Sequence, residues 1–435
     1  MSYRDVASKQ VLAWATVAIG ARAPVAMAPL ALVFLTRERP GGYTLGAALA
    51  AAYVLGEIVG APLLGTRLRP HRARPHLAVG LAAGSLGFAG LGALPDAHPA
   101  ILAAFAALAG AAPAAVPGGL RALLTSLVPQ RAVAQALSAE SILTFGIWSL
   151  TPAAVTGLAL GVAPRVPLLL AAALMASSVA GLWLLPAGWA ADETDRDGES
   201  MPRILARAWP AYVTGAAGLS LLALSELVLP ALLEQRGIGV GWAGPLLTGL
   251  ALGSAAGAFL YGLRGWPGRL RTRSVVLLCA MSACVALVAL IPALAWMATA
   301  LVLAGMLQAG AMLTRNLSLR ETLPPSALAA GYSVMYAAVG AGYAATGSLA
   351  GVLLKVAAPS TAILAGVGLT LLLTFVGALG EGHRARVTGV AEGSALGLPG
   401  ELGVRKVAVD PRDPGRVARP EGAPVCGGGD AEGRL

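Results

Sequence analysis

Apolar residues in this chain gather into twelve unbroken stretches: 11–35, 43–66, 76–95, 98–121, 136–160, 165–187, 209–233, 241–263, 274–292, 294–314, 328–354 and 358–380. Most reach the roughly 20 residues that a helix rising ~1.5 Å per residue needs to cross a ~30 Å hydrocarbon core. Leu, Ala, Val and Gly run on without the alternation of a membrane-spanning strand, which excludes a barrel. Inside hydrocarbon each segment must satisfy its own backbone polar groups, so the stretches predict helices. The expected fold is an all-α polytopic membrane protein with 12 transmembrane helices. The first stretch is too long for a signal-peptide core and lacks a clear cleavage site, so it is expected to stay as a helix.

The pattern breaks at 188–208, where Asp192, Glu193, Asp195, Asp197 and Glu199 crowd together. This reads as a hydrophilic linker between two six-helix bundles, 1–187 and 209–380. From 381 to 435 the chain is rich in Gly, Pro, Arg and Glu and poor in large apolar residues. Such a segment cannot bury enough surface to offset its ordering entropy, so it is expected to be a disordered tail. The bundles read as copies. An offset of 194 carries Arg121, Gly146 and Gly157 onto Arg315, Gly340 and Gly351, and each arginine precedes a proline, Pro129 and Pro324. Two pseudo-symmetric bundles are how secondary transporters build a central site that opens to either side.

Charge gives the expected orientation. The loops after even-numbered stretches hold fifteen arginines: Arg67, Arg69, Arg72, Arg74, Arg121, Arg131, Arg196, Arg203, Arg207, Arg264, Arg269, Arg271, Arg273, Arg315 and Arg320. The odd loops hold five basic residues: Arg37, Arg39, Arg165, Arg236 and Lys355. Basic residues stay on the cytoplasmic side during insertion, so the even loops and both termini are expected there. The net charge of +10 is then a topology signal and needs no nucleic-acid partner, which would want a soluble basic face with aromatics. With 57% hydrophobic and only 12% charged residues, the composition lies outside the range of a soluble domain. Only three of the 31 basic residues are lysine, and Ala, Gly and Arg dominate. That usage suggests a GC-rich bacterial genome and hence a plasma membrane. Cys279, Cys284 and Cys426 are placed for neither a disulfide framework nor a metal site, and no cofactor is expected.

Local motifs add a family resemblance. The turn after the second stretch reads Gly65-Thr-Arg-Leu-Arg69-Pro-His-Arg72-Ala-Arg74. The turn after the eighth reads Tyr261-Gly262-Leu-Arg264-Gly-Trp266-Pro267-Gly268-Arg269. The fifth stretch carries Gly146, Thr151-Pro152 and Gly157. With twelve helices, the linker and the repeat, these motifs resemble the major facilitator superfamily over about residues 1–380, in the manner of an actinobacterial drug or metabolite exporter. The resemblance implies gating loops at Gly65, Arg69, Arg72 and Arg74, and at Gly262, Arg264, Gly268 and Arg269. It also implies an antiporter-like motif at Gly146, Pro152 and Gly157. The sequence departs from the family in two places. Arg69 stands where the family has the aspartate of its conformational latch, and Ala106 stands where it has an arginine four residues before Gly110.

Ionisable groups deep in a bilayer carry an insertion penalty of at least ~2.5–3.5 kcal/mol, which marks them as functional candidates. Arg22, Glu57 and Glu226 qualify. With a turn near Gly41, Arg22 lies 19 residues before it and Glu57 16 after it. At ~1.5 Å per residue the mismatch in height is roughly 5 Å, so a cavity charge pair Arg22–Glu57 is expected. Glu226 has no cation nearby in sequence, and a desolvated carboxylate without one can take up a proton. It is the first proton-coupling candidate, with Glu57 the second. Glu140 and Glu321 read as interfacial anchors or as partners of Arg121 and Arg315. Pro113, Pro117, Pro152 and Pro230 remove backbone donors inside helices and are expected to bend them.

The leading functional expectation is a monomeric secondary transporter that exports a small amphipathic or drug-like molecule against proton entry. An importer of a nutrient or metabolite is the alternative on the same scaffold. A polytopic membrane enzyme would want paired acids or a histidine cluster at the membrane face. The four histidines are scattered over loops, as His71, His76, His98 and His383. No phosphate-binding loop of the Gly-x-x-x-x-Gly-Lys-Ser/Thr type occurs, so no ATP-driven pump is expected.

Overall fold

A computed structural model describes residues 8–39, 42–189 and 199–395, with side chains as far as residue 382. The described residues are helical, with no strand among them. In chain order the helices are α1 (Lys9–Thr36), α2 (Gly42–Arg67), α3 (Ala73–Ala93), α4 (Pro99–Ala111), α5 (Val116–Leu127), α6 (Val133–Gly161), α7 (Val166–Gly181), α8 (Met201–Ala206), α9 (Trp209–Gln235), α10 (Ala243–Leu263), α11 (Leu270–Leu290), α12 (Leu294–Thr322), α13 (Leu328–Val356) and α14 (Pro359–Ala395). Twelve stretches among them are long and apolar enough to cross a bilayer, and the fourth consists of α4 and α5 together. Pro113, in the turn between those two, and Pro117, in the first turn of α5, lack backbone donors, and the helix breaks between them. The first helix is capped by Ser8, whose Oγ accepts the Val11 amide at 3.2 Å.

Two expected boundaries move. The acidic linker carries the short helix α8, while residues 190–198 lie outside the described residues. α14 continues to Ala395, beyond the expected end at 380, because the sequence after Gly382 holds no proline or turn signal until the Gly-Leu-Pro-Gly run. Residues 396–435, the rest of the expected disordered tail, lie outside the described residues.

The repeat has a physical basis in packing. In the first half Gly56 and Gly60 of α2 and Gly110 of α4 let two backbones meet, for a Cβ at any of them would strike the facing helix backbone. An offset of 197 carries Gly56 and Gly60 onto Gly253 and Gly257 of α10, which meet α12 in the same way, with Gly305 in the place of Gly110. Lipid tails give helices no hydrophobic drive to associate, so close contact at small residues supplies the attraction.

The two halves meet along a seam in which α2 and α5 lie against α13, and α6 lies against α10 and, less extensively, α12. At the end carrying the even loops the seam is tight. The Ser138 hydroxyl on α6 donates to the Ala258 carbonyl on α10, and a Cβ at Gly65 would sit 2.5 Å from the Ser333 Cβ on α13. At the other end the helices stand apart from the opposite half. On α6, Val133, Gln135, Ala136, Leu137, Ser138 and Glu140 are buried, whereas beyond Gly146 only every fourth residue is: Ile147, Thr151, Val155 and Ala159. α13 repeats this, buried throughout 328–333 and then only at Thr346 and Ala350 in its last three turns. Gly146, Gly157 and Gly161 on α6, and Gly347 and Gly351 on α13, face open space. The seam is closed at the even-loop end and open at the odd-loop end.

Candidate functional site

Three charged residues meet where α1, α5 and α6 cross in the first half. Arg121 of α5 reaches Glu140 of α6 from the side. Its Nε lies 2.9 Å from both Oε1 and Oε2, and its Nη2 lies 2.6 Å from Oε1. Arg22 of α1 adds its Nη2 to the same Oε1 at 2.5 Å and gives Nη1 to the Thr144 hydroxyl at 2.6 Å. The Glu140 side chain is wholly buried, and those of Arg22 and Arg121 are 8% and 18% exposed. Aromatic faces complete the surroundings. Trp14 lies 5.8 Å from the Arg22 guanidinium, and Tyr332 of α13, from the opposite half, lies 5.4 Å from that of Arg121. Such contacts favour a desolvated cation.

Glu57 of α2 lies on the seam itself. Its Oε1 accepts from the Tyr53 hydroxyl at 3.2 Å and from the Tyr336 hydroxyl at 3.1 Å. Tyr53 is one helical turn away on the same helix, and Tyr336 comes from α13 in the other half. Tyr336 also lies within electrostatic range of Arg22 and Arg121.

The structure thus corrects the expected pair Arg22–Glu57: Arg22 is bound to Glu140, and Glu57 to two tyrosines. The height estimate fixed only depth. Rotation about the helix axis aims Arg22 at α6 and away from α2. Glu140, read as an interfacial anchor or partner of Arg121, is the centre of the charge cluster. Glu226 of α9 is half-buried and makes no hydrogen bond or ion pair among the described residues, and Tyr343 of α13 lies within its electrostatic range. It is not brought together with the cluster.

Arg315, the repeat mate of Arg121, is buried in the second half, and its partners there are Glu381 at 2.7 Å and the Thr214 hydroxyl at 3.1 Å. Glu321, expected as its partner, is exposed. The offset of 194 places Ala216 and Val334 at the counterparts of Arg22 and Glu140, so the three-charge cluster has no copy in the second half.

The expected gate loops lie at the closed end of the seam. Gly65 abuts Ser333, as does Gly118 of α5. Arg69 and Arg72 are exposed, and so are Arg264, Gly268 and Arg269. Arg74 and Arg273 bind within their own half. Arg74 donates to the Leu185 carbonyl, and Arg273 donates to the Tyr261 hydroxyl at 2.8 Å and the Trp266 carbonyl at 2.6 Å. Gly262 is buried at the end of α10, and Gly268 takes φ of +85°, which favours glycine. The arginine that crosses the seam is Arg320 of α12, which caps the last turn of α5 at the Thr125 carbonyl (3.2 Å) and binds the Gln130 side chain at 2.5 Å. Trp189, at the start of the linker, ties both halves: its amide donates to the Pro70 carbonyl at 3.3 Å and its indole Nε1 to the Pro325 carbonyl at 3.2 Å.

The residues that sequence reasoning missed are Tyr53, Thr144, Tyr332 and Tyr336. A signal was present. Tyr53–Glu57, Glu140–Thr144 and Tyr332–Tyr336 are each four apart, and that spacing puts two polar side chains on one helix face.

No family model matches the sequence, and no curated protein matches it. Among solved structures the fold is that of major facilitator superfamily transporters. The human organic anion transporter MFSD10 (TETRAN) superposes with a TM-score of 0.66 at 16% identity, over 87% of this chain and 100% of that one. A bacterial homologue of the iron transporter ferroportin, in its outward-facing state, gives 0.66 at 14%, over 85% and 96%. The transporter FucP, in the outward conformation, gives 0.65 at 14%, over 86% and 99%.

Proposed function

We propose that the chain is a secondary transporter of a small amphipathic molecule, working by alternating access and coupled to protons, in a bacterial plasma membrane with both termini in the cytoplasm. The observation that carries this reading is the seam. It is shut at the even-loop end by Gly65, Gly118, Ser138 and Arg320, and open at the other end beside a buried cluster of charges. Such a shape is one of the two end states that rocking bundles require. The arginine bias makes the open end the outer one.

Glu57 is the better placed proton carrier. It bridges the halves through Tyr336, so gaining a proton there changes a bond that holds one end state together. Glu226, the first choice from sequence, touches neither the seam contacts nor the charge cluster. Direction follows from the sign of coupling. A proton and a substrate that compete for the site are exchanged, which gives export; a pair that assist each other travel together, which gives uptake. The export expectation rests on Gly146, Pro152 and Gly157. Both glycines border open space.

The test is transport by the purified full chain in liposomes, with a panel of amphipathic compounds and an imposed pH gradient. A gradient-driven flux lost on dissipating the gradient supports the reading. A chain that moves no compound and no protons is not a transporter of this kind.

A further inference from the structure

The charge cluster holds one more guanidinium than its carboxylate needs. Arg121 alone engages both oxygens of Glu140, through Nε and Nη2. Arg22 adds a further donor to an oxygen already served and binds the Thr144 hydroxyl, while its Nε has no acceptor although the residue is 7% exposed. Removing Arg22 would leave Glu140 paired. A buried donor without an acceptor is unfavourable, as is a charge in the middle of a span. Pairing Glu140 therefore does not require Arg22, and its buried Nε is left for an acceptor that a ligand can supply.

We propose that Arg22, assisted by Arg121, binds the acid group of an amphipathic organic anion that enters from the open end of the seam. Two guanidiniums suit the two oxygens of a carboxylate or a sulfonate. Trp14, Tyr332 and Tyr336 supply aromatic surface beside the charges for the apolar body of the ligand. This inference rests on the transporter reading and names the substrate class of the same site.

The groups facing this site are Arg22 on α1, Tyr53 and Glu57 on α2, Arg121 on α5, Glu140 on α6, and Tyr332 and Tyr336 on α13. With Glu57 ionised, two positive charges face two negative ones. With Glu57 protonated, one positive charge is left over. A proton on Glu57 therefore favours the anion, and by reciprocity the anion favours the proton. They move together, so an inward proton gradient draws the anion in, and the importer alternative takes precedence over export. A cationic substrate would reverse that sign.

The experiment is thermal melting of the purified full chain with three naphthalene probes that differ only in their head group: 1-naphthoate, 1-naphthylmethylamine and 1-naphthalenemethanol. The acid is expected to raise the melting temperature saturably, and more strongly at mildly acid than at neutral pH, while the amine and alcohol do not. Arg22→Gln is expected to weaken the acid about tenfold while melting normally without ligand, since Arg121 still holds Glu140. Should Arg22→Gln fail to fold, Arg22→Lys keeps the charge without the fork, and its affinity is expected to fall about threefold. The inference is overturned if the amine or alcohol stabilises as well as the acid, if none of the three binds, or if these variants bind the acid as well as the parent. If the acid binds through Arg22 but liposomes carrying the protein do not take it up, the anion site stands and the transporter reading fails.

Discussion

Tyr336 of α13 donates a hydrogen bond to Glu57 of α2 at 3.1 Å, joining the two halves at the level where the seam begins to open. Towards the even loops α6 and α13 are mostly buried, and towards the odd loops they are buried at only a few positions.

Tyr336→Phe removes that bond and leaves Glu57 its second partner, Tyr53. Hydrogen bonds between membrane helices average about 0.6 kcal/mol, with a maximum near ~1.7, so the outward-open population should fall about threefold. Distance measurements between spin labels at the ends of α6 and α13 check this. An unchanged distribution would mean that the pair does not bear on the equilibrium.

Glu57→Gln is expected to abolish accumulation driven by a pH gradient while leaving substrate exchange at zero gradient within about threefold of the parent, because the amide still accepts from both tyrosines. Glu226→Gln should keep gradient-driven accumulation. The reverse outcome would restore Glu226 as the carrier.

The helix count was legible because it follows from what hydrocarbon forbids. The break in the fourth span was foreshadowed by Pro113 and Pro117. The pairing inside the membrane was not legible, and Arg22 shows why. Counting residues from a turn gives depth to within a few ångströms, but each residue also turns the side chain by ~100° around the helix. Depth allowed Glu57; direction selected Glu140, 118 residues away on α6. Arg315 teaches the same lesson, since its partner Glu381 arrives from the last helix and not from its neighbour in sequence, Glu321. The repeat gave the position of Arg315 correctly and its chemistry incorrectly, because Val334 replaces the counterpart of Glu140.

Gly65→Val places a side chain against Ser333 at the closed end, where a Cβ alone would lie 2.5 Å from the Ser333 Cβ. The closed end should be forced apart and the equilibrium shifted at least about tenfold towards the inward-open state, the effect of ~1.4 kcal/mol of overpacking. Gly157→Val, facing open space, should not move it. In a variant with Cys279, Cys284 and Cys426 replaced, a cysteine at Gly351 and an impermeant thiol reagent report the difference as a slower labelling rate in the first background only.

Glu381→Ala strips Arg315 of its only carboxylate among the described residues, and the arginine is 2% exposed with Nε and Nη2 already lacking acceptors. Removing one partner of a buried pair costs roughly 3–5 kcal/mol, and Thr214 recovers part of it. The melting temperature should drop by several degrees, and Arg315→Met in the same background should restore most of the loss. If the single and double variants melt alike, the pair carries no stability.

The glycines near the wide end, Gly146, Gly157 and Gly161 on α6 and Gly347 and Gly351 on α13, border open space, and this has a pharmacological consequence. With that end towards the medium, a blocker need not be membrane-permeant. A rigid, strongly charged compound or a binder with a protruding loop can wedge between α6 and α13 from outside and hold the halves apart. Such a molecule would stop the cycle without occupying the guanidiniums, so it would inhibit whatever the cargo and escape resistance arising at the ligand-binding residues.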